Sequence, residues 1–323
     1  MGFTLRIGSR PSALALAQAA LVRDALAQFA GGLAAEIVPI STSGDKMTTA
    51  SLARVGGKGL FIRELEQALS DRRIDIAVHS MKDLPAILPP QYRIVATPRR
   101  ENPHDVLITR SGLGWDALPR AARLGTSSAR RRFEALRVRP DLEVQPLRGN
   151  VDTRLGRLRA GEFEAIILAM AGLKRLGLDS AAAAAELDRR EFVPSGGQGA
   201  LAIEALRDGS LGSSSEIESA VAALNDLPTL AQVTAERALL ATIGASCVSP
   251  VGVNASFESE TLVLRALLFS TDGERSLSGE SSRNLAILTT TDPAGAENAA
   301  SELGQRLGHE LLERGAAELI RDG

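Results

Sequence analysis

Ile74 to Pro85 reads Ile-Asp-Ile-Ala-Val-His-Ser-Met-Lys-Asp-Leu-Pro, a short apolar run of β-favouring residues that stops in a cluster of polar and ionisable side chains. The run predicts a buried parallel strand. In open α/β sheets ligands sit at the carboxyl ends of the strands, so His79, Ser80, Lys82 and Asp83 fall where a binding crevice belongs. Asp83 is the candidate catalytic carboxylate. The spacing Ser80-x-x-Asp83 also fits a helix capping box, with Pro85 keeping any following helix short. On this segment alone, cap and catalyst stand side by side.

Outward from that strand the same layout recurs. Leu5-Arg6-Ile7-Gly8 predicts a strand, and Ser9-Arg10-Pro11-Ser12 opens an Ala- and Leu-rich helix to about Phe29, with Pro in its first turn. Strand, glycine, hydroxyls and helix start make an anion site in outline, because free first-turn amides and the helix dipole favour negative charge. Ala35 to Ile40 predicts a second strand. Ser41 to Gly57 has no periodicity and predicts a long mobile loop, functional or disordered, and a helix from about Leu60 to Ser70 leads into the opening strand. Gly56-Gly57-Lys58-Gly59 lacks the spacing of a nucleotide phosphate loop, which leaves Lys58 as a lone cation.

After a strand at Arg93 to Thr97 and a crossover at Pro98 to Pro103, the pattern starts again. Arg123-Leu124-Gly125-Thr126-Ser127-Ser128 enters a helix carrying Arg130, Arg131 and Arg132. Leu142 to Leu147 and Ala165 to Ala169 predict strands; Arg148-Gly149-Asn150 with Arg154, and Gly172 to Leu176 with Arg175, predict helices. The βαβα alternation in both halves predicts mostly parallel sheets with covering helices. Any one of these arginines fits a solvated helix face. As a set, they fall at the sheet edge where ligands bind. Pro194 to Gly199 is a glycine-rich crossing, most simply a hinge or tight turn, before a strand at Ala200 to Ala205.

A third segment begins near Glu216 with two helices, breaks at Gly244 to Pro250, continues as short strands to Ser278 and closes with an amphipathic helix from about Pro293 to Ile320. It reads as an α+β domain. Cys247 sits on its Gly- and Pro-bounded turn and is the single cysteine of 323 residues, so no internal disulfide forms. A lone cysteine fits a small buried hydrophobe, whereas an exposed turn fits a thiolate able to form a covalent bond. Three scattered histidines argue against a zinc centre, and a net charge of −2 with one Trp, one Tyr and eight Phe argues against nucleic-acid binding. No apolar run reaches the length of a membrane span. These features predict a cytoplasmic protein.

Leu5 to Arg10, Gly56-Gly57-Lys58-Gly59-Leu60-Phe61, His79 to Pro85, Gly125 to Ser128, Leu147 to Asn150, Gly172 to Arg175 and Gly199 together resemble the porphobilinogen deaminase family, in order and along essentially the whole chain. The resemblance implies an α/β fold of two periplasmic-binding-protein-like lobes with mostly parallel sheets, residues 1–99 with 200–215 and residues 100–199, plus a small α+β domain at 216–323. It implies a monomeric transferase with a dipyrromethane cofactor joined by a thioether to Cys247. On that cofactor four porphobilinogen molecules are condensed head to tail, with loss of ammonia and release of hydroxymethylbilane. By the same resemblance Asp83 is catalytic, and Lys82, Thr126, Ser127, Ser128, Arg130, Arg131 and Arg154 join it around the cofactor. Arg10, Ser12, Phe61, Arg148, Asn150, Arg175 and Gln198 match substrate positions, with Phe61 against a pyrrole ring, and Arg54 and Lys58 match a lid. The chain departs from the family pattern at Ala245-Ser246 and Ser249, beside the cysteine, and at Arg54, where lysine is common.

These residue types suit that chemistry. Pyrroles bearing acetate and propionate groups make a growing polyanion, and planar guanidinium forks bind carboxylates bidentately. Loss of ammonia leaves a cationic pyrrole, which a carboxylate stabilises. Two other readings remain: a binding protein closing on an anion, and a nucleic-acid site at Arg130 to Arg132. Only the enzyme carries a covalent mass increment.

Overall fold

The computed structural model describes residues 4–29, 33–42, 62–180, 184–208, 211, 215–246, 248–285 and 292–321. They form two compact units: residues 1–100 with 200–230, and residues 101–199 with 231–323.

In the first unit, strands β1 (Thr4–Ser9), β2 (Ala34–Pro39), β3 (Ile76–Ser80), β4 (Tyr92–Ala96) and β10 (Leu201–Leu206) form a five-stranded sheet in the order β2-β1-β3-β10-β4. β1 pairs in parallel with β2 and β3, while β10 runs antiparallel to both β3 and β4. Four strands therefore share one direction and the returning β10 opposes them. Helix α1 (Ala13–Phe29) covers one face and α2 (Arg63–Ser70) the other. α1 is built of strong helix formers, and Ser12 caps it: its hydroxyl accepts from the Ala15 N–H at 3.3 Å. Pro11 lies just outside, where its missing N–H costs nothing. Leu5, Ile7, Ile76, Val78, Leu201 and Ile203 pack against Val22 and Leu26 of α1. Helix α6 (Ser215–Ala222) joins that core through Ile217, Ala220 and Val221, so this part of the third sequence segment belongs to the first unit.

The second unit repeats the arrangement. Strands β5 (Asp105–Thr109), β6 (Arg123–Gly125), β7 (Glu143–Gln145), β8 (Ala165–Ala169) and β9 (Ala185–Glu186) are ordered β7-β6-β8-β5-β9, with β5 the opposing strand. Helices α3 (Ala129–Val138), α4 (Val151–Arg159) and α5 (Met170–Arg175) follow β6, β7 and β8. Each starts at the carboxyl end of a strand. Ser128 caps α3, accepting from the Arg131 N–H at 3.4 Å, and Asn150 caps α4, accepting from the Thr153 N–H at 2.8 Å.

Helix α7 (Leu227–Ile243), the antiparallel strands β11 (Val251–Glu258), β12 (Thr261–Phe269) and β13 (Ser276–Asn284), and helices α8 (Pro293–Glu313) and α9 (Ala316–Arg321) complete the chain. The strands run eight or nine residues, longer than the sequence predicts. Gly315, at φ +94°, separates α8 from α9 where one helix is expected. Leu239, Leu264, Leu303, Leu307 and Leu311 share the core here. The glycine-rich crossing is stitched to this layer. Val253 N–H donates to Pro194 O at 2.8 Å, and Gly197 N–H donates at 2.6 Å to the buried Glu236, which also accepts from Ala255 N–H at 2.7 Å. Gly199 turns the chain at φ +86°, and a β-carbon there would collide with Glu101 O, so the expected tight turn is present and needs glycine.

Candidate active site

In the first unit β3 is buried along its length and ends at Ser80, after which Met81–Asp83 make a single 3₁₀ turn. The Met81 N–H donates to Ala200 O at 3.0 Å, fastening the turn to the chain entering β10. The capping box does not form: the Ser80 hydroxyl makes no cap bond and accepts instead from Gln18 Nε2 of α1 at 2.9 Å. Asp83 is exposed, and no hydrogen bond or ion pair engages its carboxylate among the described residues. Arg10 and Lys82 are half-buried and already engaged. His79 departs from the sequence reading. Successive strand residues face opposite sides, so with Ser80 turned toward α1, His79 points to the α2 face and is buried.

The second unit gathers its cations around Asp105, the first residue of β5, which is fully buried. Arg131 donates from Nε (3.1 Å) and Nη2 (2.7 Å) to Asp105 Oδ1 and from Nη1 to Ile167 O at 3.1 Å. Gln198 donates to the same Oδ1 at 2.8 Å and to Pro103 O at 2.8 Å. Arg130 Nη1 lies 2.7 Å from Asp105 Oδ2, close but not aligned as a hydrogen bond, and donates to Glu134 Oε2 at 2.7 Å and Val193 O at 2.8 Å. Burial alone would raise the Asp105 carboxyl, but Arg130 and then Arg131 outweigh it and hold it well below the usual carboxylate range. Glu134 goes the other way. Burial first pushes it up, and with the charge of Asp105 adding to this the result is about 8, although Arg130 pulls down. Near neutral pH two guanidinium charges therefore face one carboxylate, leaving net positive charge at the first turn of α3.

Arg154 and Arg175 extend that excess. Arg154 donates from Nε to Gly149 O at 2.8 Å, and no carboxylate lies within ion-pair distance among the described residues. Burial, and after it the like charge of Arg131, lower it to about 10. Arg175 donates from Nη2 to Gly199 O at 2.6 Å and is likewise lowered by burial to about 10, with Glu101 offsetting part of the effect. A half-buried cation without a counter-charge gains most from an incoming anion. Arg148 is half-buried and already engaged.

The hydroxyls and amides expected around the ligand first serve the backbone. Thr126 Oγ1 accepts from Ser128 N–H at 3.2 Å, Ser127 Oγ donates to Leu147 O at 3.0 Å, and Ser128 and Asn150 are the caps described above. Arg54, Lys58, Phe61 and Cys247 lie outside the described residues. Sequence reasoning passed over Asp105, Glu134 and Glu204. The signal for Asp105 and Glu204 was an acid at the mouth of an apolar strand or within one, in Asp-Val-Leu-Ile-Thr and Leu-Ala-Ile-Glu-Ala-Leu.

Glu134 carries a pH prediction. Its folded value of about 8 exceeds the ordinary 4.5, so the folded state binds the proton more tightly. The stabilisation is full below about pH 4.5 and is lost as pH rises through about 8. Glu134→Gln, which keeps the shape without the titration, is expected to flatten the decline in melting temperature between pH 5 and pH 9. Equal slopes for variant and parent in scanning calorimetry would contradict the assignment.

Comparison with known proteins shows the family. The family model described as "Porphobilinogen deaminase, dipyromethane cofactor binding domain" matches residues 5–212, and "Porphobilinogen deaminase, C-terminal domain" matches residues 230–313. The porphobilinogen deaminase of Syntrophobacter fumaroxidans is 42% identical over 318 residues, covering 98% of this chain and 97% of the relative. That of Acidithiobacillus ferrooxidans is 43% identical over 323 residues, covering 100% and 99%. Among solved structures, the second substrate-binding domain of a putative amino acid ABC transporter from Streptococcus pneumoniae aligns with a TM-score of 0.42 at 10% identity, over 69% of this chain and 91% of that one. Matched by both family models and by relatives above 40% identity along nearly its full length, the chain belongs to the porphobilinogen deaminase family.

Proposed function

We propose that this chain condenses four porphobilinogen molecules head to tail on a dipyrromethane cofactor bound to Cys247, with loss of ammonia and release of hydroxymethylbilane. The observation that carries the reading is the uncompensated positive charge of the second unit. Arg154 and Arg175 are weakened by burial, and Arg130 with Arg131 exceed the charge of Asp105. A ligand built of acetate- and propionate-bearing rings is the anion such cations require, so the residues fit the cofactor. Arg154, Arg148 and Arg175 bind carboxylates, with Arg131 adding charge from behind while Asp105 and Gln198 fix its plane. The bound cofactor supplies the primer to which the substrate units are joined.

Asp83 performs the charge step. Its carboxylate stabilises the pyrrole cation that forms when porphobilinogen loses ammonia, and it exchanges a proton at its Oδ atoms. Arg10 binds a substrate carboxylate, and Ser12 and Lys82 support it. Phe61, Arg54 and Lys58 are assigned by the family resemblance, to a substrate position and a lid. The enzyme works as a monomer in the cytoplasm without nucleic-acid or membrane partners; no described helix is long and apolar enough to cross a membrane. Intact-mass measurement tests the whole reading. The purified chain is expected to exceed its sequence mass by one dipyrromethane, and Cys247→Ser to remove the increment together with turnover of porphobilinogen. A parent at bare sequence mass that consumes no porphobilinogen would refute it.

A further inference from the structure

The strand that delivers Asp83 is ionisable where its neighbours are apolar. On the α2 face of the first sheet, Leu65, Leu69, Ile74, Ala77 and Tyr92 form one apolar cluster. His79 of β3 and Glu204 of β10 project onto this face. The register pairs His79 with Ala202 and Ala77 with Glu204, which sets the two side chains diagonally across the ladder. His79 Nε2 lies 2.9 Å from Glu204 Oε2, with the side chains 4% and 0% exposed. The contact is not aligned as a hydrogen bond, and among the described residues neither Nε2 nor either Glu204 oxygen has another partner.

Other charged groups meet the pair from the packed elements. α2 contributes Glu66, whose carboxyl is pushed up by burial and then by Glu204, against the pull of His79 and Arg63. It also carries Arg63 and Glu64, the latter already engaged. From β4 the Tyr92 hydroxyl donates to Glu66 O at 2.9 Å, and from β1 Arg6 is held by Asp75 at 2.7 Å.

Stability does not explain the pair, because apolar replacements of a buried ion pair often match or exceed it. Its position does. The carboxyl end of β3 and the amino end of β10 lie side by side at the Met81–Asp83 turn, and that turn is tied to Ala200 at the start of β10. Resting on the reaction proposed above, we infer that His79 and Glu204 are a positioning pair for it, tying the end of β3 to β10 next to the turn that carries Asp83. The contact holds the two strands together across the ladder; without it the end of β3 is free to shift against β10 and to carry Asp83 with it.

The test compares holoenzyme with the Glu204→Gln holoenzyme, both checked by intact mass, for kcat and KM toward porphobilinogen, with thermal unfolding alongside. kcat should drop by about 10- to 100-fold while KM stays within about twofold. A parental kcat, or a loss that falls on kcat and KM alike, makes the pair merely structural and overturns the inference. If Glu204→Gln does not fold, the His79→Gln holoenzyme is measured in the same way: the same split supports the pair, and its absence overturns it. Failure of the underlying reading looks different, because the parent itself would then lack the added mass and the activity.

Discussion

Asp83→Asn is expected to fold like the parent, keep the covalent mass increment and lose about a thousandfold in turnover. The size follows from elementary electrostatics: a carboxylate ~4 Å from a unit positive charge, at an effective dielectric of about 20, contributes about 4 kcal/mol, or roughly three powers of ten in rate. The structure makes the substitution clean. Asp83 is exposed on a one-turn 3₁₀ segment, engages no other described residue and caps no helix, so the amide removes charge without leaving a buried partner stranded. The turn keeps its anchors, Met81 to Ala200 and Ser80 to Gln18. Steady-state kcat, circular dichroism and intact mass check the expectation together. Near-parental turnover would remove Asp83 from the chemistry, and a lost increment would move its role to cofactor attachment.

The sequence made the strands that run the common way legible and left the direction of the opposing strand obscure, for a physical reason. Strands buried on both faces appear as apolar runs whatever they pair with, so β1, β3 and β8 could be placed to within a residue or two. Nothing local in Leu-Ala-Ile-Glu-Ala-Leu says that β10 inserts between β3 and β4 in the opposite direction, because pairing partners more than a hundred residues away set that. The same limit applies to the site. Ser128 and Asn150 were placed near the ligand edge, and the structure uses their oxygens as helix caps. Short polar side chains serve both ends, and one chain's spacing does not separate them. His79 and Ser80 could not both line a crevice, since strand geometry sends them to opposite faces.

The inward pairing of Arg130 and Arg131 was the feature least open to sequence reasoning, because their shared acid, Asp105, lies far upstream in another element. It leads to the second large effect. Asp105→Asn is expected to destabilise the fold by about 3–5 kcal/mol, since deleting one member of a buried ionic cluster strands the charges opposite it. Here two guanidinium groups are stranded, Arg130 with its side chain 3% exposed and Arg131 with 9%; the amide keeps one oxygen for Gln198 but sets an NH2 donor where Oδ2 faced Arg130 Nη1. The loss is expected in the urea midpoint at constant m-value. A double-mutant cycle separates stranded charge from lost packing. If repulsion between uncompensated cations carries the cost, adding Arg131→Met to Asp105→Asn restores part of the stability, so the double variant is less damaged than the sum of the singles. Strict additivity would mean that Asp105 acts through local packing. The excess charge that draws acid-bearing rings to Arg154 would then need a source other than the cluster at α3.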